Sequence, residues 1–152
     1  HHNKFVEWLG TECTTPSSEV TKVMKDGRRG RYTHGSVRFY LTEHVLRTEL
    51  VRLGYSGFKP KCMRPLSHMD ASALIYRANR HIHELYQKYQ RCTNVSILQS
   101  AWYVIEYSTY MTLSLKYKTS IAKLKSEYSK NGKFRIDGAV LYKPKFKVKK
   151  AE

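Results

Sequence analysis

Two histidines separated by a single residue, His81 and His83, are the most obvious potential metal ligands in the sequence. On a β-strand they would point to one face, where they could bind a metal ion or belong to a nuclease that nicks nucleic acid. The apolar residues around them recur at steps of three and four, which predicts a helix, and on a helix two such residues point in different directions. We therefore interpret them as part of a basic helical face, and we expect no metal ion or other cofactor.

Other catalytic arrangements are weak. Tyr142 is followed by a lysine three residues later, so a nicking nuclease that uses His81, His83 and Tyr142 is one hypothesis. The acidic residues are few and scattered over different predicted turns and caps, which argues against a pair of carboxylates for acid–base chemistry. No glycine-rich phosphate loop precedes a helix, and no Ser/His/Asp set has a persuasive spacing. We predict that this chain is not an enzyme.

A segment from Tyr107 to Ser120, YSTYMTLSLKYKTS, combines two lysines with a row of hydroxyl side chains inside a run that otherwise resembles a buried helix. This mixed character suits a helix that packs one face against a core and turns the other toward phosphate. The alternative is that Lys116 and Lys118 belong to a solvated helix face, as most charge runs do. The sequence alone leaves both interpretations open.

Net charge favours the phosphate interpretation. The chain has 28 lysines and arginines against 12 acidic residues, a formal charge of +16 at pH 7. This excess predicts a polyanionic partner. No apolar run approaches the roughly 20 residues that a spanning helix needs, so we predict no membrane insertion. The three cysteines form no close pair, which indicates reduced thiols and no zinc site.

Tyrosine is abundant, and the 12 tyrosines are interleaved with basic residues in the second half of the chain. Such a composition can neutralise phosphates while aromatic rings stack on unpaired bases. The predicted core tyrosines fall on apolar stripes; they are Tyr89, Tyr117 and Tyr128. The tyrosines nearer the stripe edges stay candidates for stacking; they are Tyr86, Tyr103 and Tyr110.

The predicted fold is mainly α: a helical bundle with short N-terminal strands and an extended basic C-terminal arm. The first segment, residues 1–58, begins with a short strand in KFVEWLG and continues into a basic loop, KDGRRGRYTHGS, because three glycines interrupt any helix there. A strand from Val37 to Leu41 follows. Thr42 then caps a helix that ends at Gly54. The sequence starts without methionine, so we expect a processed protein, a fragment or one piece of a split protein.

The second segment, residues 59–132, carries the remaining predicted helices. Asp70 is the expected N-cap of the longest helix. A third helix, capped by Thr93 or Asn94, continues to Ile105, and a fourth runs from Leu113 to Tyr128. The third segment, residues 133–152, alternates basic and apolar residues, which suits an extended arm or an edge strand.

Two stretches resemble known motifs. ALIYRANRHIHELYQKYQRCTN is similar to the first motif of the maturase domain of group II intron reverse transcriptases, with matches at Ile75, Asn79, Ile82, Leu85, Tyr89 and Asn94. YSTYMTLSLKYKTS is similar to the second motif of that domain, with matches at Tyr107, Ser108, Thr112, Leu113, Lys116, Tyr117, Lys118 and Ser120. The first motif departs from the family pattern at Ala78, His83, Glu84 and Lys88.

Upstream, VRFYLTEHVLRTELVRLGYSG resembles the junction between the thumb and the maturase domain, and KFVEWLG resembles the end of the polymerase palm. The resemblance therefore implies the C-terminal portion of such a protein. The catalytic Tyr-x-Asp-Asp motif of the polymerase is absent, so reverse transcription by this chain alone is not expected. The family implies a helical RNA-binding unit in which the intron RNA supplies the splicing chemistry.

We accordingly predict an RNA-binding maturase-type protein that stabilises structured group II intron RNA for splicing. The alternative is a maturase-derived structural subunit of a larger ribonucleoprotein, such as an organellar ribosome. Expected partners are structured RNA and, beside it, a separately encoded polymerase part or other ribonucleoprotein subunits. The expected location is mitochondrial, with a chloroplast or the bacterial cytoplasm as alternatives. The predicted RNA-binding residues are Arg28, Arg29, Arg31, Arg77, Asn79, Arg80, His83, Lys88, Arg91, Thr112, Lys116, Lys118, Ser120 and Lys123.

Overall fold

The structure, a computed structural model, is mainly helical with small antiparallel sheets. It describes residues 6–8, 11–14, 19–23, 29–33 and 38–147, with side chains from residue 38 to residue 147. The predicted RNA-binding residue Arg28 lies outside the described residues. The fold class expected from the sequence is confirmed.

The N-terminal strands form two antiparallel groups. In one sheet, β1 (Val6–Trp8) pairs with β2 (Thr11–Thr14), which pairs in turn with the later strand β5 (Arg38–Tyr40). In the other, β3 (Glu19–Val23) pairs with β4 (Arg29–Thr33). The strands expected near the start of the chain and at Val37–Leu41 are thus observed.

The expected basic loop is wrong in part, because Arg29 and Arg31 belong to strand β4. The physical reason lies in the partner strand, whose valines and threonine favour extended pairing. Gly30 then pairs opposite Lys22 instead of interrupting the element. Glycine disfavours a helix but can still pair in a strand, which the sequence prediction did not take into account for Gly30.

Helix α1 (Glu43–Arg52) has the predicted boundaries. The Thr42 hydroxyl accepts a hydrogen bond from the Val45 amide at 3.3 Å, which satisfies one of the free N–H groups at the helix start. Leu46 and Leu50 are fully buried in the core. Gly54, with φ of 93°, adopts the left-handed conformation that ends the helix.

Helix α2 (Ala71–Tyr89) carries the apolar stripe predicted for it, and this stripe forms the centre of the core. Asp70 precedes the helix as expected, but its side chain makes no capping hydrogen bond within the described part of the chain. The stripe residues that the structure buries are Ala71, Leu74, Ile75, Ala78, Ile82, Leu85 and Tyr89.

Helix α3 (Leu98–Tyr117) is longer than predicted, and α4 (Ile121–Tyr128) is correspondingly shorter. Leu113 therefore belongs to α3, which ends at Lys118 in the left-handed conformation with φ of 49°. Asn94 is the N-cap residue of a short 3₁₀ helix (Val95–Ile97) that leads into α3, as predicted, but its side chain makes no capping hydrogen bond there. The Asn94 amide instead accepts a hydrogen bond from the Leu41 N–H and donates one to the Leu41 carbonyl, both at 2.8 Å.

Three short strands follow α4: β6 (Ser129–Lys130), β7 (Lys133–Ile136) and β8 (Ala139–Val140). Asn131 and Gly132 both have positive φ, 52° and 70°, as a two-residue type I′ hairpin turn requires. The first residues of the predicted arm, Lys133–Ile136, thus form strand β7. Its alternate side chains are buried in the core. The extended segment begins only at residue 141.

Candidate nucleic-acid interface

Three hydroxyl side chains of α3, those of Ser108, Thr112 and Ser114, form hydrogen bonds to the backbone of neighbouring loops. The Ser108 hydroxyl accepts a hydrogen bond from the Lys61 amide at 3.1 Å, and the Thr112 hydroxyl accepts one from the Met63 amide at 3.0 Å. Thr112 is completely buried, so its predicted role as an RNA contact is wrong. Ser114, one half-turn further, donates its hydroxyl to the carbonyl of Thr119. The row thus fixes the loop before α2 and the turn after α3.

These loops bring separate parts of the chain together in a groove of about 530 Å³ between the end of α3 and the start of α4. We call it the junction groove and define it by Arg64, Leu115, Lys118, Thr119 and Ser120. Arg64 and Lys118 are exposed there and form no ion pair within residues 38–147. The groove therefore combines two cations and several hydroxyl groups with an apolar lining from Cys62, Met111, Leu115 and Ile121.

Two of the predicted lysines lie close to this groove in different ways. Lys116 is half-buried, and its Nζ atom lies 3.5 Å from the carbonyl oxygen of Ser67, so part of its hydrogen-bonding capacity is used by the protein. Lys123 is exposed one turn into α4. Its backbone amide donates to the Ser120 hydroxyl at 3.2 Å, which caps α4.

The ion pairs of the described residues are concentrated elsewhere, on the surface shared by α1 and α2. We call this surface the paired face, and its pairs are Arg52–Glu49, Arg52–Glu84 and Lys88–Glu49. The fourth pair, Arg47–Glu43, joins two exposed residues within α1. Burial alone would raise the pKa of Glu49, but hydrogen bonds from Lys88 and Arg52 lower it overall. Acidic residues thus neutralise one face, while the junction groove keeps its positive charge.

Lys88 belongs to the paired face, although the sequence predicted it as an RNA contact. Its ammonium group donates to Glu49 at 2.8 Å, and this hydrogen bond raises the pKa of Lys88. Arg77 is also used inside the fold. Its guanidinium donates to the Leu53 carbonyl at 2.8 Å and lies 5.4 Å from the centre of the Tyr55 ring. Both side chains have structural partners that the sequence did not indicate.

Asn79 likewise has a structural role. Its Nδ2 group donates to the Val140 carbonyl and its Oδ1 atom accepts from the Tyr142 amide, each at 2.8 Å. This pair of bonds fastens the start of the C-terminal extended segment to α2. Further along α2, Tyr86 donates its hydroxyl to the Lys147 carbonyl at 2.9 Å. The segment therefore lies along α2, with three lysines exposed on it: Lys143, Lys145 and Lys147.

Three further predicted residues are exposed and form no ion pair within the described ranges; they are Arg80, His83 and Arg91. Arg80 and His83 belong to α2, Arg91 follows the end of that helix, and none of the three lines the junction groove. Arg29 and Arg31 lie in β4, where only the backbone is described.

Sequence reasoning did not identify Arg64. It begins a short 3₁₀ helix (Arg64–Leu66), and its place with Lys118 in the junction groove depends on the hydrogen bonds that α3 makes to residues 61–63. The sequence shows that Ser108 and Thr112 carry hydroxyl groups, but it does not show that these hydroxyls accept hydrogen bonds from a distant loop. No periodicity or local motif indicates such a contact across nearly 50 residues.

The structure confirms some of the predictions for the tyrosines and contradicts others. Tyr89 is buried as expected, whereas Tyr117 is 39% exposed and its assignment to the core is wrong. Tyr103 is 49% exposed and its ring centre lies 4.6 Å from that of Tyr107, so it stays a stacking candidate. Tyr110 is buried, and burial raises the pKa of its hydroxyl. The end of α3 buries Tyr117 incompletely because the chain turns away at the next residue.

His81 and His83 are not brought together. His81 is 5% exposed, and its Nδ1 atom lies 3.0 Å from the Tyr55 hydroxyl, whereas His83 is exposed. Burial lowers the pKa of His81 to about 4, so it is neutral at pH 7. This position contradicts the nuclease hypothesis, which needed both histidines in one site.

Within residues 38–147 and the described N-terminal strands, no three His, Cys, Asp or Glu side chains are grouped to hold a metal ion. The helices in this described part are also too short or too polar to cross a membrane. Comparison with models of known protein families finds no match, and comparison with curated proteins finds none. The resemblance to maturases therefore rests on the residues quoted above.

Proposed function

We propose that this chain is an RNA-binding protein of the maturase type, which stabilises structured group II intron RNA without chemistry of its own. The observation that supports this proposal best is the uneven distribution of charge pairing. Every ion pair in the range 38–147 involves a residue of α1, and the cations of the junction groove have no acidic partner within that range. A shallow groove with two cations that have no acidic partner fits the phosphate backbone of RNA.

The chemistry of the groove suits phosphate recognition. The planar guanidinium of Arg64 can hold two phosphate oxygens, and the ammonium of Lys118 adds a flexible point charge. The Ser120 oxygen already accepts a bond from the Lys123 amide, but its hydrogen stays free to donate to a phosphate oxygen. These groups would neutralise closely spaced phosphates and so favour a compact RNA fold.

The second candidate function is a structural subunit of a larger ribonucleoprotein, such as an organellar ribosome. Two departures from the maturase motif, Glu84 and Lys88, form ion pairs with Arg52 and Glu49 of α1. At these positions α2 is thus joined to another helix of the same chain. These ion pairs favour a chain in which part of the surface that binds RNA in the maturase family now stabilises the contact between α1 and α2.

RNA recovered from the native source separates the two functions. The protein is crosslinked by ultraviolet light in its source cells, purified under high salt, and the attached RNA is sequenced. Reads concentrated on an intron support splicing, whereas reads concentrated on ribosomal RNA support the structural role. Recovery of no RNA above that of a crosslinked, weakly basic control protein overturns both. Fractionation of the same cells tests the proposed mitochondrial location.

A further inference from the structure

A second groove lies at the other end of α4, beside the β6–β7 hairpin. We call it the hairpin groove; it has a volume of about 680 Å³, and its lining residues are Glu127, Tyr128, Lys130, Asn131, Lys133 and Arg135. None of its three cations belongs to the RNA-binding residues predicted from the sequence. Its position follows from the Asn-Gly turn, which brings the strands on either side of it together.

The pairing of β6 with β7 brings the cations of this groove close to one another. Lys130 and Lys133 are directly opposed across the hairpin. Arg135 follows two residues after Lys133 on β7, whose side chains alternate between exposed and buried, so both point to the exposed face. Like charges directly opposite each other destabilise a strand pair, and these three form no ion pair with any acid in residues 38–147.

An aromatic wall adjoins the cations. The Tyr128 ring is stacked near that of Tyr117, with centres 6.2 Å apart and planes inclined by 29°. It also contacts the buried Phe134 at a centre distance of 6.2 Å, which restrains it from behind. A half-buried, restrained tyrosine beside three cations can contact a ribose or base while the cations bind the phosphate.

We infer that the hairpin groove binds a phosphodiester of the RNA that the junction groove contacts. This inference rests on the proposed function. Helix α4, with eight residues, separates the two grooves by about 12 Å along its axis. The exposed Lys123 lies between them. RNA is favoured over an anionic membrane because the site is concave and its lining includes no exposed large aliphatic side chain.

The test compares two variants of equal net charge. One is Lys130→Gln with Lys133→Gln; the control is Arg38→Gln with Lys59→Gln, which removes two exposed charges outside both grooves. Binding of a labelled oligouridine is measured over a series of salt concentrations. The hairpin variant should lower the slope of log affinity against log salt by about 1.4, whereas the control should leave it near that of the parent.

Equal slopes for the two variants overturn the inference. If Arg64→Gln with Lys118→Gln still lowers the slope, the proposed function survives; if that variant has no effect either, the proposed function fails as well. A parallel measurement uses vesicles of phosphatidylcholine and phosphatidylserine. Loss of vesicle binding without loss of oligouridine binding would assign the groove to a membrane and also overturn the inference.

Folding gives a second readout. Without RNA, Lys130→Gln should leave the hairpin intact and raise the free energy of unfolding slightly, because it removes the repulsion from Lys133. Urea unfolding measures this change. A lower stability would show that Lys130 makes a favourable contact within the protein, such as one with Glu127 of the groove lining, and would contradict the inference.

Discussion

The hydroxyl of the buried Thr112 accepts a hydrogen bond from the backbone amide of Met63 at 3.0 Å, where α3 packs against the loop before α2. This bond explains why a core helix carries polar side chains. They supply acceptors for a loop whose amides are otherwise left unsatisfied when it packs on the helix. Among the residues that match the maturase pattern, Ser108 and Thr112 thus hold the loop before α2 against α3.

Replacing Thr112 with valine should therefore destabilise the fold and leave the salt slope of RNA binding unchanged. The shape is kept, but the Met63 amide loses its acceptor, which costs about 1–3 kcal/mol of unfolding free energy. Urea unfolding measures the cost. Thr48→Val, at an exposed position of α1, is the control and should change stability by less than about 0.5 kcal/mol. Equal effects at the two sites would argue against the buried hydrogen bond.

The C-terminal segment should detach from α2 in steps. Asn79→Ala removes both hydrogen bonds to Val140 and Tyr142, so the Tyr142 amide should exchange with solvent much faster. Tyr86→Phe removes only the bond to Lys147 and should affect the far end alone. Hydrogen exchange followed by mass spectrometry resolves the two ends. Unchanged exchange at Tyr142 in the alanine variant would show that Asn79 does not hold the segment.

His81 should make the fold sensitive to acid. Its pKa is lowered from 6.5 to about 4, first by burial and then by Arg77, so the unfolded chain binds a proton more readily than the folded one. Stability from this group is present above pH 6.5 and is lost as pH falls toward about 4, with a total of about 3 kcal/mol. His81→Gln should flatten that part of the profile in urea unfolding. An equally steep loss in the variant would assign the effect to other groups.

Lys88 and Lys118 offer a comparison of single charges on different faces. Lys88→Gln should leave the salt slope unchanged, because Glu49 already neutralises this lysine. Lys118→Gln should lower the slope by about 0.7 on single-stranded RNA. Both variants are tested with the labelled oligouridine. A larger effect at Lys88 would mean that its ion pair opens for RNA.

Periodicity was sufficient to locate the core but not the boundary between α3 and α4. The stripe from Leu74 to Tyr89 was predicted correctly, because burial of one face requires apolar residues at helical spacing. The break between α3 and α4 was placed wrongly. It depends on Lys118 in a left-handed turn and on Ser120 as an N-cap, and a lysine has no preference that reveals such a turn.

The candidate site was predicted less well, for a different reason. Lys118, Ser120 and Lys123 were identified and are exposed, whereas Asn79 and Thr112 were identified by motif and hold the fold together. The same residue types, such as asparagine and threonine, can bind the backbone of their own protein or bind RNA. Only the position of its partner distinguishes the two roles, and the partners lie about 50 to 60 residues away.

The most direct test of the account removes both cations of the junction groove. The variant Arg64→Gln with Lys118→Gln is compared with Arg38→Gln with Lys59→Gln in salt titrations of oligouridine binding. We expect the first variant to lower the slope of log affinity against log salt by about 1.4, with the control near the parent value. An unchanged slope in the junction variant would contradict RNA binding at this groove.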